Sequence, residues 1–189
     1  MALSQQSGDR SADLASRVSL DDLRLEHVGP NYHAWLNDAH VMQFLEARFR
    51  THSLEEIRSY VSEMNVSKTD HIWRILFDGR HVGNIKLAGI TPRHRRANLA
   101  LLIGDRSMWG RGVGTQAIRL ATAESFKKYD LYKIYAGFYA VNVASIRAFE
   151  KAGYVIEGTL RGNRCLDGRM VDEVLMACFR TTFGGGSGQ

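Results

Sequence analysis

A glycine-rich segment in the middle of the chain carries the clearest chemical signal. The segment Trp109-Gly110-Arg111-Gly112-Val113-Gly114-Thr115, called the glycine loop below, follows an apolar run, Leu99 to Ile103, and precedes a helix-forming run, Gln116 to Lys128. Glycines let a backbone approach a ligand closely, and the first amides of a helix have no partner within it. Those amides, the helix dipole and the Arg111 guanidinium together favour a phosphate or a pyrophosphate. The segment therefore predicts an anion site between a strand and a helix.

Two well-known phosphate loops differ from the glycine loop. The loop of nucleotide triphosphatases closes with Lys followed by Ser or Thr, and no such pair closes this turn. In the dinucleotide loop Gly-x-Gly-x-x-Gly, the third glycine would fall on Thr115 or, as a permitted variant, on Ala117, but no acidic residue ends a following strand at the required distance. A loop that only turns the chain remains the alternative.

A second polar group lies on a predicted helix over residues 142–152. Asn142, Ser145 and Phe149 stand at positions i, i+3 and i+7, so they share one face of that helix. Asn142 either bonds beyond the helix or caps its first turn. Ser145 either presents its hydroxyl to a ligand or bonds to its own backbone.

The elements that would position these residues alternate between strands and helices. We predict strands over 18–25, 71–77, 82–90, 97–103, 133–140, 154–159 and 170–179, and helices over 32–37, 40–45, 54–64, 113–128 and 142–152. Ser53 and Glu56 have the spacing of a capping box, and Asp78-Gly79 predicts a hairpin turn. Because the run 97–103 is nearly all apolar, we expect that strand to be covered on both faces. The order of elements indicates a mixed α/β fold.

Length and composition favour one ordinary domain. The 189 residues divide into a predicted disordered segment over 1–16, a single domain over 17–182 and a flexible Gly-rich tail over 183–189. No apolar run approaches the roughly 18 residues of a membrane span, and the first residues lack a secretory signal, so we expect a cytoplasmic protein without a membrane partner. The seven histidines are scattered and no Cys/His spacing suits zinc, so we expect no metal; two cysteines favour free thiols.

The charge balance suits an anionic small ligand. The formal net charge is +5, and the densest basic run, Arg93-His94-Arg95-Arg96, most simply forms a solvated loop. No aromatic residue interrupts that run, so we expect no nucleic-acid partner.

The segment from Asn142 to Tyr154 resembles the Asn-x-x-Ser…Glu-Lys-x-Gly-Phe/Tyr signature of the GCN5-related N-acetyltransferases (GNATs). The glycine loop is similar to the pyrophosphate loop of that family, and the two motifs follow in the family's order. The likeness extends from Val18 to Phe179. Within the family, Trp109, the stretch Trp35-Leu36-Asn37-Asp38 and the stretch Glu157-Gly158-Thr159-Leu160-Arg161 resemble the branch of ribosomal-protein N-terminal acetyltransferases and amino-sugar N-acetyltransferases.

The resemblance implies the GNAT fold, a mostly antiparallel central sheet, flanked by helices, that splays between its fourth and fifth strands. It implies acetyl-CoA as co-substrate, with the pyrophosphate on the glycine loop, the pantetheine in the splay and a strand amide that polarises the thioester carbonyl. Asn142 would then bond the pantetheine. The implied coenzyme residues are Leu101, Leu102, Ile103, Trp109, Gly110, Arg111, Gly112, Val113, Gly114, Thr115, Asn142, Ser145, Phe149 and Lys151.

The resemblance leaves the acid unassigned. Many relatives carry Tyr at the position of Phe149 and use its hydroxyl to protonate the leaving thiolate. Phe149 has no proton to give, so we predict Ser145 as the donor, with water as the alternative. Some relatives place a Glu near the position of Asn98, which here could only orient a water.

The general base is predicted to be Glu46. It combines a carboxylate with the apolar neighbours Phe44, Leu45 and Ala47, a setting that favours proton transfer. An ion pair with Arg48 or Arg50 is its alternative role. His52 and His94 are the other candidate bases.

A site without a strong base favours an amine of low pKa as acceptor. An α-amino group near pKa 8 is roughly a tenth unprotonated at neutral pH, whereas a lysine is below about a thousandth. We therefore predict an N-acetyltransferase for a small primary amine, foremost a nucleotide-linked amino sugar whose phosphates could meet Arg48, Arg93, Arg95 and Arg96. The alternatives are a protein N-terminus, as on a ribosomal subunit, and a non-catalytic CoA-binding module. Val171 to Phe179 could pair at a sheet edge, which favours a homodimer.

Overall fold

The computed structural model describes residues 14–184, in which one mixed sheet of seven strands is flanked by helices. The strands are β1 (Val18–Asp22), β2 (His71–Phe77), β3 (Arg80–Thr91), β4 (Arg96–Ile103), β5 (Lys133–Tyr139), β6 (Val155–Leu166) and β7 (Arg169–Phe179). The helices are α1 (Pro30–Leu36), α2 (Ala39–Met42), α3 (Leu54–Val66), α4 (Val113–Lys128) and α5 (Val143–Lys151), and 3-10 turns cover Leu25–His27, Glu46–Phe49 and Arg106–Met108. No helix within this range is long and apolar enough to span a membrane.

The sheet splays between its fourth and fifth strands. Its order is β1-β2-β3-β4-β5-β7-β6, and only β4 and β5 run parallel. Their pairing stops after three residues, Arg96–Asn98 against Lys133–Tyr135, although β4 stays paired with β3 and β5 with β7. Residues 99–103 and 136–139 therefore border an open wedge. This confirms the predicted fold class.

The two faces of the sheet carry different helices. The larger core packs the sheet against α4 and α5, with Leu99, Ala117, Ile118 and Phe149 all 2% exposed or less. The smaller core packs α1 and α3 on the other face through Tyr32, Ile57, Val61 and Ile72, with Leu102 of β4 beside them. The two faces of the sheet beside the wedge are thus covered by different helices.

Local signals predicted one turn and one helix start correctly. Asp78 and Gly79 have φ values of 49° and 75°, which suits the tight turn between β2 and β3. The Ser53 hydroxyl accepts from the Glu56 amide while the Glu56 carboxylate accepts from the Ser53 amide, so the capping box forms at the start of α3.

The prediction that β4 is covered on both faces is wrong. Ala97 and Leu99 are buried, but Ala100 is exposed and residues 101–103 are half-buried. The strand is apolar because it borders the wedge, where its second face stays accessible. β6 also continues past its predicted end at 159 to Leu166, through register shifts near Gly158 and between Leu160 and Arg164 that break its alternation.

The proposed dimer edge is also wrong. The segment from Val171 to Phe179 lies in β7, which is paired on both sides, with β5 and with β6. The edge strands of the described sheet are β1 and β6. The predicted N-terminal segment 1–16 and tail 183–189 fall mostly outside residues 14–184.

Candidate active site

The glycine loop ends in an uncapped helix start. Gly112 is the N-cap of α4 in the left-handed conformation, with φ at 83°, and within residues 14–184 no side chain caps the helix there. The first helical bond runs from the Gln116 amide to the Gly112 carbonyl at 3.0 Å. The amides of residues 113–115 therefore point out of the helix without helical acceptors. An anion would be held here by backbone donors and the positive end of the dipole.

The glycine loop lies against the open part of β4. A Cβ on Gly114 would stand 3.3 Å from Leu101 Cδ2 and 3.7 Å from Ile103 Cγ1. The Trp109 indole donates a hydrogen bond from Nε1 to the Ile103 carbonyl at 2.9 Å, which fixes the loop to the end of the strand. The anion site and the wedge therefore form one continuous surface.

The wedge has a free strand edge along β4. Beyond Asn98 nothing in β5 pairs with residues 99–103, so alternate amides and carbonyls of this stretch face the opening. Such an edge can hold an extended ligand by main-chain hydrogen bonds. Asn98 itself donates from Nδ2 to the Tyr135 carbonyl at 3.3 Å and bridges the strands where they part.

The residues predicted on α5 contact the protein. The Asn142 carboxamide accepts from the Ser145 amide at 3.3 Å, so Asn142 caps the helix. Phe149 is 1% exposed and packs edge-on against Phe138 and Tyr154, with ring centroids at 4.8 and 4.9 Å. Ser145 is half-buried and Lys151 is exposed. The ring of Phe149 fills the core, which leaves it no free surface toward the wedge.

On the opposite face of the sheet, Glu46 belongs to a hydrogen-bond network whose members are far apart in the sequence. Its Oε1 accepts from the Tyr139 hydroxyl at 2.9 Å and from Arg164 at 2.6 Å. The expected ion pair with Arg48 or Arg50 is wrong, because β6 brings in an arginine 118 residues away along the chain. Burial and the Glu46 carboxylate raise the pKa of the Tyr139 hydroxyl.

Two further charges complete this network. Arg164 also pairs with Glu173 of β7, which is 5% exposed, and this hydrogen-bonded carboxylate raises the pKa of Arg164. Arg48 donates to the Cys165 carbonyl at 2.8 Å, and its guanidinium lies 5.3 Å from the centre of the Tyr139 ring. The opposite charges of Arg164 and Glu173, nine residues apart on two strands joined by a short turn, were the available signal.

The other candidate bases are placed differently. His52 is 4% exposed, and its Nε2 bonds the Ala47 carbonyl at 2.8 Å, so it holds its own loop. His94 lies in the turn between β3 and β4 with the basic run 93–96, whose Arg95 pairs with Asp130. This turn is at the opposite end of β4 from the glycine loop, about 25 Å along the strand.

Two openings lie on the face of α1 and α3. A cleft of about 780 Å³ separates α1 and α2 from the turn between β6 and β7, and its lining includes Asp38, Gln43, Arg48, Arg50, Cys165 and Asp167. A smaller cavity of about 230 Å³ lies between α1, α3 and the sheet, beside Ala100, Leu101 and Leu102. Arg50 lines both. Residues 14–184 hold no group of three or more His, Cys, Asp or Glu side chains that could bind a metal ion.

Comparison with known proteins agrees with this architecture. The sequence model of the acetyltransferase (GNAT) domain matches residues 17–155. Spermidine N(1)-acetyltransferase of Escherichia coli (strain K12) is 30% identical over 103 residues, which are 54% of this chain and 55% of the relative. The probable N-acetyltransferase YjcK of Bacillus subtilis (strain 168) is 34% identical over 103 residues, 53% of this chain and 55% of the relative. The chain thus spans about half the length of the curated relatives it matches.

Solved structures share the fold. The ribosomal L7/L12 alpha-N-protein acetyltransferase RimL, in complex with coenzyme A, superposes with a TM-score of 0.79 at 20% identity, over 88% of this chain and 96% of that one. Spermidine N-acetyltransferase from Vibrio cholerae, in complex with CoA and spermine, gives a TM-score of 0.77 at 22% identity, over 88% of this chain and 98% of that one.

Proposed function

The chain belongs to the GNAT acetyltransferase family, and we propose that it is an acyltransferase that moves an acetyl group from acetyl-CoA to a primary amine in a ternary complex. The observation that carries this proposal is the continuity of the glycine loop with the wedge. Uncapped amides at residues 113–115 suit a pyrophosphate, and the free edge of residues 99–103 suits the extended arm that follows it.

The coenzyme fits the residues present. Gly112 adopts a left-handed conformation that lets the amides converge, and the lack of a side chain at Gly114 keeps the helix start close to Leu101. When bound, acetyl-CoA supplies an acyl group activated as a thioester. Within the stretch Leu101, Leu102 and Ile103, the amides that face the wedge would hold its arm and polarise its carbonyl. Trp109, Gly110, Arg111, Val113 and Thr115 complete the proposed coenzyme site; of the predicted α5 contacts, Asn142, Ser145 and Lys151 stay in it and Phe149 does not.

The proposed chemistry is direct attack. The amine nitrogen bonds to the carbonyl carbon, the carbon–sulfur bond breaks, and the amine loses a proton while the departing sulfur gains one. Glu46 is the proposed proton acceptor, directly or through a water, since its carboxylate accepts a hydrogen bond from the hydroxyl of Tyr139, a residue that borders the wedge. Ser145 or water is the proposed donor to sulfur, and Asn98 shapes the closed end of the wedge. Most of the rate would come from alignment of amine and thioester.

The charges beside the wedge favour an oxygen-rich or anionic acceptor. Arg48 and Arg50 form no ion pair with any carboxylate in residues 14–184, and both line the larger cleft. Lys86 lines the smaller cavity, where its ammonium group pairs with Asp70 at 3.6 Å, so Arg48 and Arg50 supply the charge for an anionic acceptor. We therefore propose a nucleotide-linked amino sugar as acceptor, with Arg48 and Arg50 on the phosphates. The run 93–96 has no part in this proposal because it lies at the far end of β4.

Two other acceptors have specific support. A curated relative is named for spermidine. In the larger cleft the Asp38 and Asp167 carboxylates suit a polycation, whereas the arginines of that cleft oppose it. A neighbour in fold acts on a ribosomal protein N-terminus, and the larger cleft is open enough for a peptide end. A non-catalytic CoA-binding module is favoured only by Phe149 and Asn98, which replace familiar catalytic groups.

Thiol release from acetyl-CoA tests these choices. Four reactions are compared: UDP-glucosamine, a peptide with a free N-terminal serine, spermidine, and no amine. We expect the nucleotide-linked amine to react fastest and Arg50→Gln to slow it about tenfold, the loss of one charge-assisted contact. Arg58→Gln, on the exposed side of α3, is the matched control. Faster turnover of spermidine would contradict the acceptor assignment, and coenzyme binding without turnover of any amine would favour the non-catalytic module.

A further inference from the structure

The smaller cavity has a floor made by three strands. Cross-strand pairs place Ile72 beside Lys86, Lys86 beside Ala100, and Asn84 beside Leu102, so these side chains share the face covered by α1 and α3. Tyr32, Ile57 and Tyr60 form the helical walls. The lining is mainly apolar, and the floor adjoins the β4 edge where the reacting carbonyl is proposed to lie.

Asn84 is an uncharged polar residue in this mainly apolar floor. It is 4% exposed, and its Nδ2 is buried without a hydrogen-bond partner among the described residues. Burial raises the pKa of the neighbouring Tyr32 hydroxyl and the Asn84 amide offsets part of that rise, but the two groups do not reach hydrogen-bonding geometry. A buried amide left unpaired costs about 1–3 kcal/mol, so such a group signals a missing acceptor.

Asn84 lines the smaller cavity, and hydrogen bonds to His81 fix the orientation of its carboxamide. His81 Nε2 lies 3.1 Å from the Gly83 carbonyl and 2.9 Å from Asn84 Oδ1. A carbonyl can only accept, so Nε2 carries the proton and Asn84 must present its oxygen to it. Burial lowers the pKa of His81, which keeps the ring neutral with this one proton. Nδ2 therefore points away from His81.

We propose that Asn84 is a specificity-determining residue that donates from Nδ2 to a hydroxyl, ether or carbonyl oxygen of the amine acceptor. The part of the acceptor that enters the cavity is a compact ring or short chain with that oxygen close to its amine. A volume of about 230 Å³ equals roughly eight water volumes, enough for a six-membered ring with two substituents. This inference rests on the proposed function and names the part of the acceptor that enters the smaller cavity.

Two amines that differ by one oxygen test the proposal. trans-2-Aminocyclohexanol and cyclohexylamine share the same ring, and their rates are compared per unprotonated amine. In the unaltered protein we expect kcat/KM to favour the aminoalcohol by about tenfold to a hundredfold, the effect of satisfying one buried donor. In Asn84→Leu the preference should fall to about one. Asn84→Asp keeps the acceptor for His81 but loses the donor, and it should also lose the preference.

A matched control separates this role from general damage. Asn65 on α3 already donates from Nδ2 to the Leu23 carbonyl at 2.7 Å, so Asn65→Leu removes a carboxamide that is paired within the protein. It should leave the preference intact. A preference that survives in both Asn84 variants, or an equal loss for the two amines with unchanged selectivity, would overturn the proposal.

Binding without turnover distinguishes this proposal from the proposed function. If no amine reacts, the proposed function fails, and NMR titration with trans-2-aminocyclohexanol still measures binding in the smaller cavity. Shifts at Asn84 Nδ2 that saturate with trans-2-aminocyclohexanol and are absent with cyclohexylamine would keep the assigned donor. Shifts that are absent from the unaltered protein would remove it.

Discussion

Replacing Gly112 by Ala should separate coenzyme binding from folding. Gly112 has φ at 83°, and a left-handed Ala costs about 1–2 kcal/mol. Gly79, in the turn between β2 and β3, has φ at 75° and open space around its Cβ position, so Gly79→Ala carries the same cost away from the site. At Gly112 the new Cβ would also stand 2.8 Å from Leu14 Cδ2, the movable end of a side chain. We expect similar losses of stability in both variants.

The two variants should differ in their affinity for coenzyme A. Relief of the strain at Gly112 turns the loop away from the first amides of α4, which breaks at least one bond to a charged phosphate. Such a bond contributes about 1.5–3 kcal/mol, so the Kd should rise about 10- to 150-fold in Gly112→Ala. Isothermal titration calorimetry measures the Kd, and thermal unfolding verifies that both proteins are folded. Equal affinities in the two variants would refute the role of the glycine loop.

Three further predictions address the acceptor face and the buried groups. Glu46→Gln should lower kcat about a hundredfold without a change in coenzyme Kd, and an unchanged kcat would exclude Glu46 as base. Burial lowers the pKa of His71 and of His81 below the ordinary value of 6.5, so the unfolded chain takes up protons first as the pH falls. The thermal unfolding midpoint should therefore stay constant above pH 6.5 and decrease below it, whereas a flat profile would contradict this. Burial raises the pKa of Cys178 to about 11, so a maleimide should label only exposed Cys165 at neutral pH, and mass spectrometry would reveal labelling of both as the contrary result.

Local signals in the sequence were sufficient for several turns and helix starts. The glycine loop, the capping box at Ser53 and the turn at Asp78 each act within a few residues, and the structure places all three as predicted. The splay followed from the family resemblance. Turns and helix starts depend on short-range backbone geometry, which residue type largely determines.

The acceptor side could not be predicted because it joins distant segments. Glu46 meets Arg164 across 118 residues, and no local pattern distinguishes Arg164 from nearer arginines. The apolar character of β4 was read as burial on both faces, whereas part of it borders the wedge. β7 was taken for an edge because its order in the chain conceals the insertion of β7 between β5 and β6. Asn84 offered one signal, a carboxamide within an apolar strand.

Backbone amide shifts during titration with coenzyme A test the central claim most directly. The account predicts that the largest changes occur at residues 111–115 and along residues 99–103, the uncapped helix start and the free edge of β4. Changes confined to the basic turn at residues 93–96, at the far end of β4, would contradict it.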